Sequence, residues 1–160
     1  MRYKENRDYE WKMVVFLAVL FGIVGLDRLV IVYLFPVLLP ELKLNNTQAG
    51  AIASVLALTW AISTWVLGSL SDRHGRRKIL LGSSILFSVM TSFTGVAKSF
   101  HSMLLVRGLL GVGEGGVFSA SVATIDEIST PSRRGLNLGI HQSFFPFWVL
   151  ALDRSSRPNS

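Results

Sequence analysis

The chain has no cysteine, which excludes disulfides, thiol nucleophiles and cysteine-bound metals. Three histidines, His74, His101 and His141, are too scattered to offer metal-ligand spacing. Charge is scarce as well: Asp, Glu, Lys and Arg make up 16% of 160 residues, against 50% hydrophobic, and they cluster instead of scattering. Period-two alternation, the mark of a transmembrane strand, is missing from the apolar stretches. No nucleophile is paired with a base. The glycine-rich segment 108–116 lacks the Lys-Ser or Lys-Thr that would make it a phosphate loop. These absences leave an enzyme, a metal site or a cofactor with nothing to stand on.

What is present is a series of apolar stretches of about 20 residues, each long enough to cross a bilayer core as a helix. In lipid every backbone amide needs an internal partner, so the crossings are expected to be helical. The reading is an all-α membrane protein. Residues 1–12 form a polar tail, and residues 13–147 a transmembrane bundle with helices at about 13–39, 48–70, 79–97, 103–125 and 135–152. Four of these read as complete and the fifth, interrupted by Pro146, as incomplete. Pro36 is expected to kink or end the outer part of the first helix, and Asn46 or Thr47 to cap the second. The first stretch is too long for a signal-peptide core and lacks a small-residue cleavage site.

The net charge of +6 would suggest nucleic acid in a soluble protein. Here the basic residues lie in short loops, and membrane orientation explains them. Arg2, Lys4, Arg7 and Lys12 precede the first helix, Arg73, Arg76, Arg77 and Lys78 follow the second, and Arg133 and Arg134 follow the fourth. The opposite loops hold only Lys43 and Lys98. This bias places the N-terminus in the cytoplasm of a multi-pass integral membrane protein, in a cell membrane or bacterial inner membrane. Residues 148–160 read as an atypical tail. Arg154 and Arg157 would fall outside, against the charge rule, as expected of a truncated or frame-shifted chain; a natural short tail is the alternative.

The most specific stretch runs from Gly68 to Lys78. Five charges and one glycine occupy the seven residues from Asp72 to Lys78, between two apolar spans. Gly75 can take a left-handed conformation and reverse the chain quickly. Asp72 stands at the end of a helix, where the arginines can pair with it or with nearby helix ends. A solvated cytoplasmic loop would explain the charges alone, but not their order of Gly, Asp, Arg, Gly, Arg, Arg.

That ordered turn resembles the signature loop between helices 2 and 3 of the major facilitator superfamily. The resemblance covers about residues 13–147. It implies a partial form of a fold with twelve helices in two six-helix halves, working by alternating access, and a missing C-terminal half as partner. It also implies a gating role for Gly68, Asp72, Arg73, Gly75, Arg76 and Arg77. The segment 126–135, with Asp126, Pro131, Arg133 and Arg134, is similar to the superfamily's loop after helix 4; an ordinary solvated turn fits it equally.

Charges inside the spans are the next signal, since a charge at the bilayer centre costs roughly 3 kcal/mol or more. Asp27 and Arg28 fall in the middle of the first helix. They are adjacent, so their side chains diverge by about 100°. Arg107 and Glu114 lie in the fourth helix, seven residues apart and so on one face, about 10 Å apart along the axis. Desolvation disfavours a carboxylate, which makes Asp27 and Glu114 candidate proton carriers. The guanidinium fork binds carboxylates bidentately, which makes Arg28 and Arg107 candidate anion ligands. Two static salt bridges, Asp27 with Arg107 and Arg28 with Glu114, are the alternative. The set is similar to that of the anion:cation symporter branch of the superfamily. That resemblance implies substrate binding by Arg28 and Arg107 and proton coupling by Asp27 and Glu114. Leu26 and Leu29 stand where aromatic residues often flank the helix 1 pair.

The expected function is therefore the N-terminal part of a secondary active transporter, carrying a small organic anion such as a carboxylate or sugar acid together with protons. The alternatives are another substrate (a sugar, a drug or an aromatic acid) or a truncated membrane protein that does not transport. Membrane lipid, the anion and protons are the implied partners, with no nucleic acid. Gly111 and Gly115 form a small-xxx-small pair that favours close helix packing, and Gly135 and Gly139 invite the same reading. Trp11, Trp60, Trp65 and Trp148 read as anchors or packing residues. His141 and Gln142 form a polar pair that could face the pathway.

Overall fold

The computed structural model describes residues 7–42 and 44–156, so that Arg2, Lys4, Lys43 and Arg157 lie outside the described residues. Five helices follow one another: α1 (Arg7–Glu41), α2 (Asn46–His74), α3 (Arg76–Thr94), α4 (Phe100–Ile128) and α5 (Arg134–Ser156). Strands are absent among the described residues.

The helix ends differ from the sequence reading for local reasons. α1 starts six residues before Met13, inside the expected tail, where Asp8 and Glu10 occupy its first turn and suit the positive end of the helix dipole. It also continues through Pro36 and Pro40 to Glu41, so Pro36 does not end it. The cap of α2 is Asn45, not Asn46 or Thr47. The Asn45 side chain accepts from Gln48 N at 2.8 Å, and the Gln48 side chain accepts from Asn45 N at 3.0 Å. Only Asn45 places Gln48 three residues on, as this reciprocal cap requires. α4 begins at Phe100 instead of Met103 because Ser99 and Ser102 make a similar exchange. α3 stops at Thr94, ahead of Gly95, instead of reaching Ala97.

Three of the helices, α1, α2 and α4, are long and apolar enough to cross a membrane by composition alone. Four complete crossings were expected. α3 falls short chiefly because its 19 described residues begin with Arg76, Arg77 and Lys78, and secondarily because it carries Ser83, Ser84, Ser88 and Ser92. The Ser84, Ser88 and Ser92 hydroxyls donate to carbonyls one turn back at 2.7–3.0 Å, which lowers the cost of placing them in lipid. Large apolar side chains still face outward, with Leu81, Ile85, Val89 and Phe93 exposed beside Ser88 and Ser92, while Ser83 is buried. A water-soluble helix would present the reverse.

The chain divides into two compact units: residues 1–30 with 124–160, and residues 31–123. In the first, Val14, Leu17, Ala18, Phe21 and Val24 of α1 are buried at helical spacing, as is Ile125. In the second, α4 is applied to α2 and α3 through its glycines. A Cβ on Gly111 would lie 2.6 Å from the Leu56 carbonyl oxygen, and one on Gly115 2.7 Å from that of Trp60. On another side of the helix, Cβ atoms on Gly113 and Gly116 would lie 2.8 Å from Phe87 N and 2.8 Å from Ser83 Cβ. Separations this short admit no side chain, so two glycine pairs fix α4 against two neighbours. Ser63 adds a hydrogen bond from its hydroxyl to the Gly111 carbonyl at 3.2 Å, the polar contact that small-residue interfaces in membranes often carry.

Candidate functional site

The glycine seams determine where the charges of α4 point. Successive residues turn by about 100°, so Glu114 projects about 100° from Gly113 on one side and from Gly115 on the other. Gly113 faces α3 and Gly115 faces α2. Glu114 therefore projects from the face of α4 that neither helix covers, and Arg107, two turns away, shares it. Both are buried, Arg107 at 2% exposure and Glu114 at 0%, and neither is without a partner. Burial of this degree is tolerated for a charged group only with partners.

Asp27 and Arg28 lie in α1 within the first unit. Each is half-buried and each is partnered. Their adjacency sends the two side chains in different directions, as the helical rotation requires.

The α2–α3 connection builds the expected turn. Gly75 has φ 93°, a conformation that L side chains rarely adopt, and its N–H closes the last turn of α2 on the Ser71 carbonyl at 3.0 Å. α3 then starts at once with Arg76. Arg76 carries two functions: it pairs with Asp72 at 3.7 Å and donates to the Ala123 carbonyl in the last turns of α4. Gly68 packs on α4, 3.6 Å from Ser119 Cβ measured from an added Cβ. Arg73 and Arg77 are exposed. The motif thus combines one backbone reversal, one docking arginine and two solvent-facing cations.

The α4–α5 connection holds a polar cluster that the sequence did not disclose. Arg134 pairs with Asp126 at 2.9 Å. Beneath it the Asn137 amide donates to Glu10 Oε1 at 2.6 Å and to Ser129 Oγ at 2.8 Å. Glu10 is 7% exposed and Asn137 1%. In sequence Glu10 reads as part of the polar tail, and Asn137 carries no local signal, since its partner lies 127 residues away. An acid in the first turn of a helix otherwise reads as an ordinary dipole partner.

Other expectations resolve residue by residue. The His141 ring stacks on Phe21 at 4.7 Å and is buried, whereas Gln142 is exposed. Trp60 lies against Phe118 at 5.5 Å, while Trp65 is 78% exposed. Gly135 and Gly139 have no atom within 4 Å of an added Cβ, so the close packing expected there is not made among the described residues; α5 buries Asn137 and His141 instead. No group of three or more His, Asp or Glu side chains is placed to hold a metal ion among the described residues.

The chain is similar in sequence to several known transporters. The "Probable 4-methylmuconolactone transporter" of Cupriavidus pinatubonensis is 34% identical over 121 residues, covering 75% of this chain and 28% of that protein. The "Probable sulfoacetate transporter" of Cupriavidus necator is 30% identical over 128 residues, 80% of this chain and 30% of that protein. The "Hexuronate transporter" of Bacillus subtilis is 28% identical over 134 residues, 83% of this chain and 32% of that protein. The chain thus spans about a third or less of the length of these relatives. The family description "Major Facilitator Superfamily" matches residues 17–151, across all five helices. With its signature turn, its apolar outward faces and this match, the chain belongs to the major facilitator superfamily, a family of membrane transporters.

Proposed function

We propose that this chain is the N-terminal part of a secondary transporter that moves a small organic anion together with protons. The observation that carries the reading is the face of α4 bearing Arg107 and Glu114, both buried and both aimed by glycine contacts on either side. An ionisable pair kept inside a membrane helix at this cost is expected to serve function. The names of the relatives supply the substrate class: a lactone of a methylated muconic acid, sulfoacetate and hexuronate. Two of these are anions outright, and they support a carboxylate or sulfonate cargo.

Arg28 and Arg107 take the anionic group, their planar forks matching its oxygens. Asp27 and Glu114 carry protons. Protonation of the carboxyls releases the arginines from internal pairing, the substrate then replaces those partners, and the turn from Asp72 to Lys78 opens or closes the cytoplasmic side. The positive bias of the loops places the N-terminus in the cytoplasm. The remaining helices of the pathway belong to a C-terminal half, since alternating access needs two lobes moving about a site.

The test is counterflow and pH-driven uptake of hexuronate and sulfoacetate in proteoliposomes, with a full-length transporter that carries residues 1–147 as its N-terminal portion. Glu114→Gln is expected to abolish accumulation driven by a pH gradient while sparing counterflow. Retained proton coupling in that variant ends the assignment. Because the chain is free of cysteine, Lys78→Cys and Lys98→Cys report topology directly. An impermeant maleimide added outside intact cells should label only the second.

A further inference from the structure

The first unit contains a cavity of about 530 Å³ lined by Arg7, Glu10, Thr130, Pro131, Ser132 and Arg133. We propose that it holds the phosphate group of an anionic membrane lipid. None of the four charges assigned to transport lines it, and the inference does not depend on their roles.

Position is the first argument. α1 begins at Arg7 and its apolar run begins at Met13, whereas residues 129–133 follow the end of α4. With α3 counted as a crossing on the strength of its exposed apolar positions Leu81, Ile85, Val89 and Phe93, four crossings return the chain to the membrane face from which it started. Arg7 and Arg133 therefore belong to one membrane surface, just beyond the apolar runs, at headgroup depth.

Charge is the second. Asp126 is taken by Arg134, and one oxygen of Glu10 by the Asn137 amide. Neither Arg7 nor Arg133 has a carboxylate within 4.0 Å among the described residues. Among the described lining residues, two guanidinium groups against one carboxylate leave a net single positive charge, which one phosphodiester balances. Arginine forks suit phosphate oxygens, and basic pockets on the cytoplasmic side of membrane proteins bind anionic headgroups.

The third argument is an unmet hydrogen bond. The Thr130 hydroxyl, on a residue that lines the cavity, is buried and has no partner among the described residues. Turned about its Cα–Cβ bond into the cavity, the hydroxyl would donate to a phosphate oxygen. The cavity is open and several times larger than a phosphate ion, so it also admits the substituents of a diester.

Native mass spectrometry of the delipidated 160-residue chain tests this directly. The protein is offered equimolar phosphatidylglycerol and phosphatidylcholine, and separately inorganic phosphate. One phosphatidylglycerol should be retained in preference to phosphatidylcholine. Arg7→Ala and Arg133→Ala should each weaken that preference about fivefold, the weight of one basic residue at an anionic surface. Thr130→Val should weaken it less, and Lys78→Ala, at an exposed cation that is not part of the cavity lining, should leave it unchanged. Circular dichroism checks that each variant keeps its helices. Where an alanine variant loses helicity, Arg133→Gln carries the test with the same fivefold expectation. Equal retention of the two lipids, or undiminished retention in the arginine variants, overturns the proposal. Retention of inorganic phosphate without selection of the anionic lipid overturns the lipid as occupant. The readout involves no transport, so its failure leaves the proposed function standing, and the reverse also holds.

Discussion

The α2–α3 and α4–α5 connections look alike in sequence: each has an aspartate near a helix end followed by paired arginines. They are held differently. The first depends on its backbone. Gly75 at φ 93° reverses the chain, and the Asp72–Arg76 pair is a loose 3.7 Å contact with Asp72 two-thirds exposed. The second depends on buried polar groups. Its surface pair is tight at 2.9 Å, but below it Asn137 ties Glu10 and Ser129 together out of water. Similar charge patterns therefore say little about what maintains a turn. One turn allows a rapid reversal with most cations facing solvent. The other anchors the start of α1 to the start of α5.

The comparison is broken most severely at Asn137. Asn137→Leu leaves the Glu10 carboxylate buried without its amide donor, at a cost of about 3 kcal/mol. Unfolding in detergent followed by circular dichroism would read this as a large fall in stability. Glu10→Leu combined with Asn137→Leu should recover most of the loss, since removing both partners of a buried bond is nearly neutral. A double variant as unstable as the single one would show that the site contributes packing and not hydrogen bonding. Next comes Gly75→Val, which forces a β-branched residue to positive φ and should cost about 2 kcal/mol. Gly82→Ala is the control. An added Cβ there meets nothing within 4 Å, so the change should stabilise α3 by about 0.5–1 kcal/mol.

Smaller effects sharpen the same contrast. Arg76→Ala removes the donor to the Ala123 carbonyl and should cost about 1 kcal/mol by the same unfolding assay. Arg77→Ala, at an exposed position, should be close to neutral. Least of all, Asp72→Asn and Asp126→Asn should each cost less than about 1 kcal/mol, with the second the larger. Raising the ionic strength should shrink both, as it does for exposed pairs. An Asp72→Asn effect that exceeded Gly75→Val would reverse the account of the first turn.

Several features were legible because they are local. Gly75 was readable as the reversal because charges and apolar spans bracket it. The Gly111 and Gly115 pair was readable as a packing face because a four-residue spacing repeats on one side of a helix. Arg107 and Glu114 share a face by the same arithmetic. What stayed hidden involves distant partners or competing signals. Gly113 and Gly116 stand three apart and form a second seam, but the residues they meet, Ser83 and Phe87, are named only by the fold. Gly135 and Gly139 have the spacing of a packing pair and no neighbour to pack on. α1 extends into the polar tail because the apolar run marks the membrane, whereas the hydrogen-bond ladder and its acidic first turn mark the helix.

The sequence by itself determined that the chain is a multi-helix membrane protein with four charges inside its spans and a turn that resembles the signature loop of the major facilitator superfamily. Those properties follow from composition, from helical periodicity and from the order of residues in one short stretch. Only the tertiary structure decided which glycines touch which helices, and hence the direction in which Glu114 and Arg107 project. It alone joined Glu10 to Asn137 across 127 residues. The reason is physical: periodicity specifies the face of a helix, but the neighbour that covers that face is chosen by packing, which no single segment encodes.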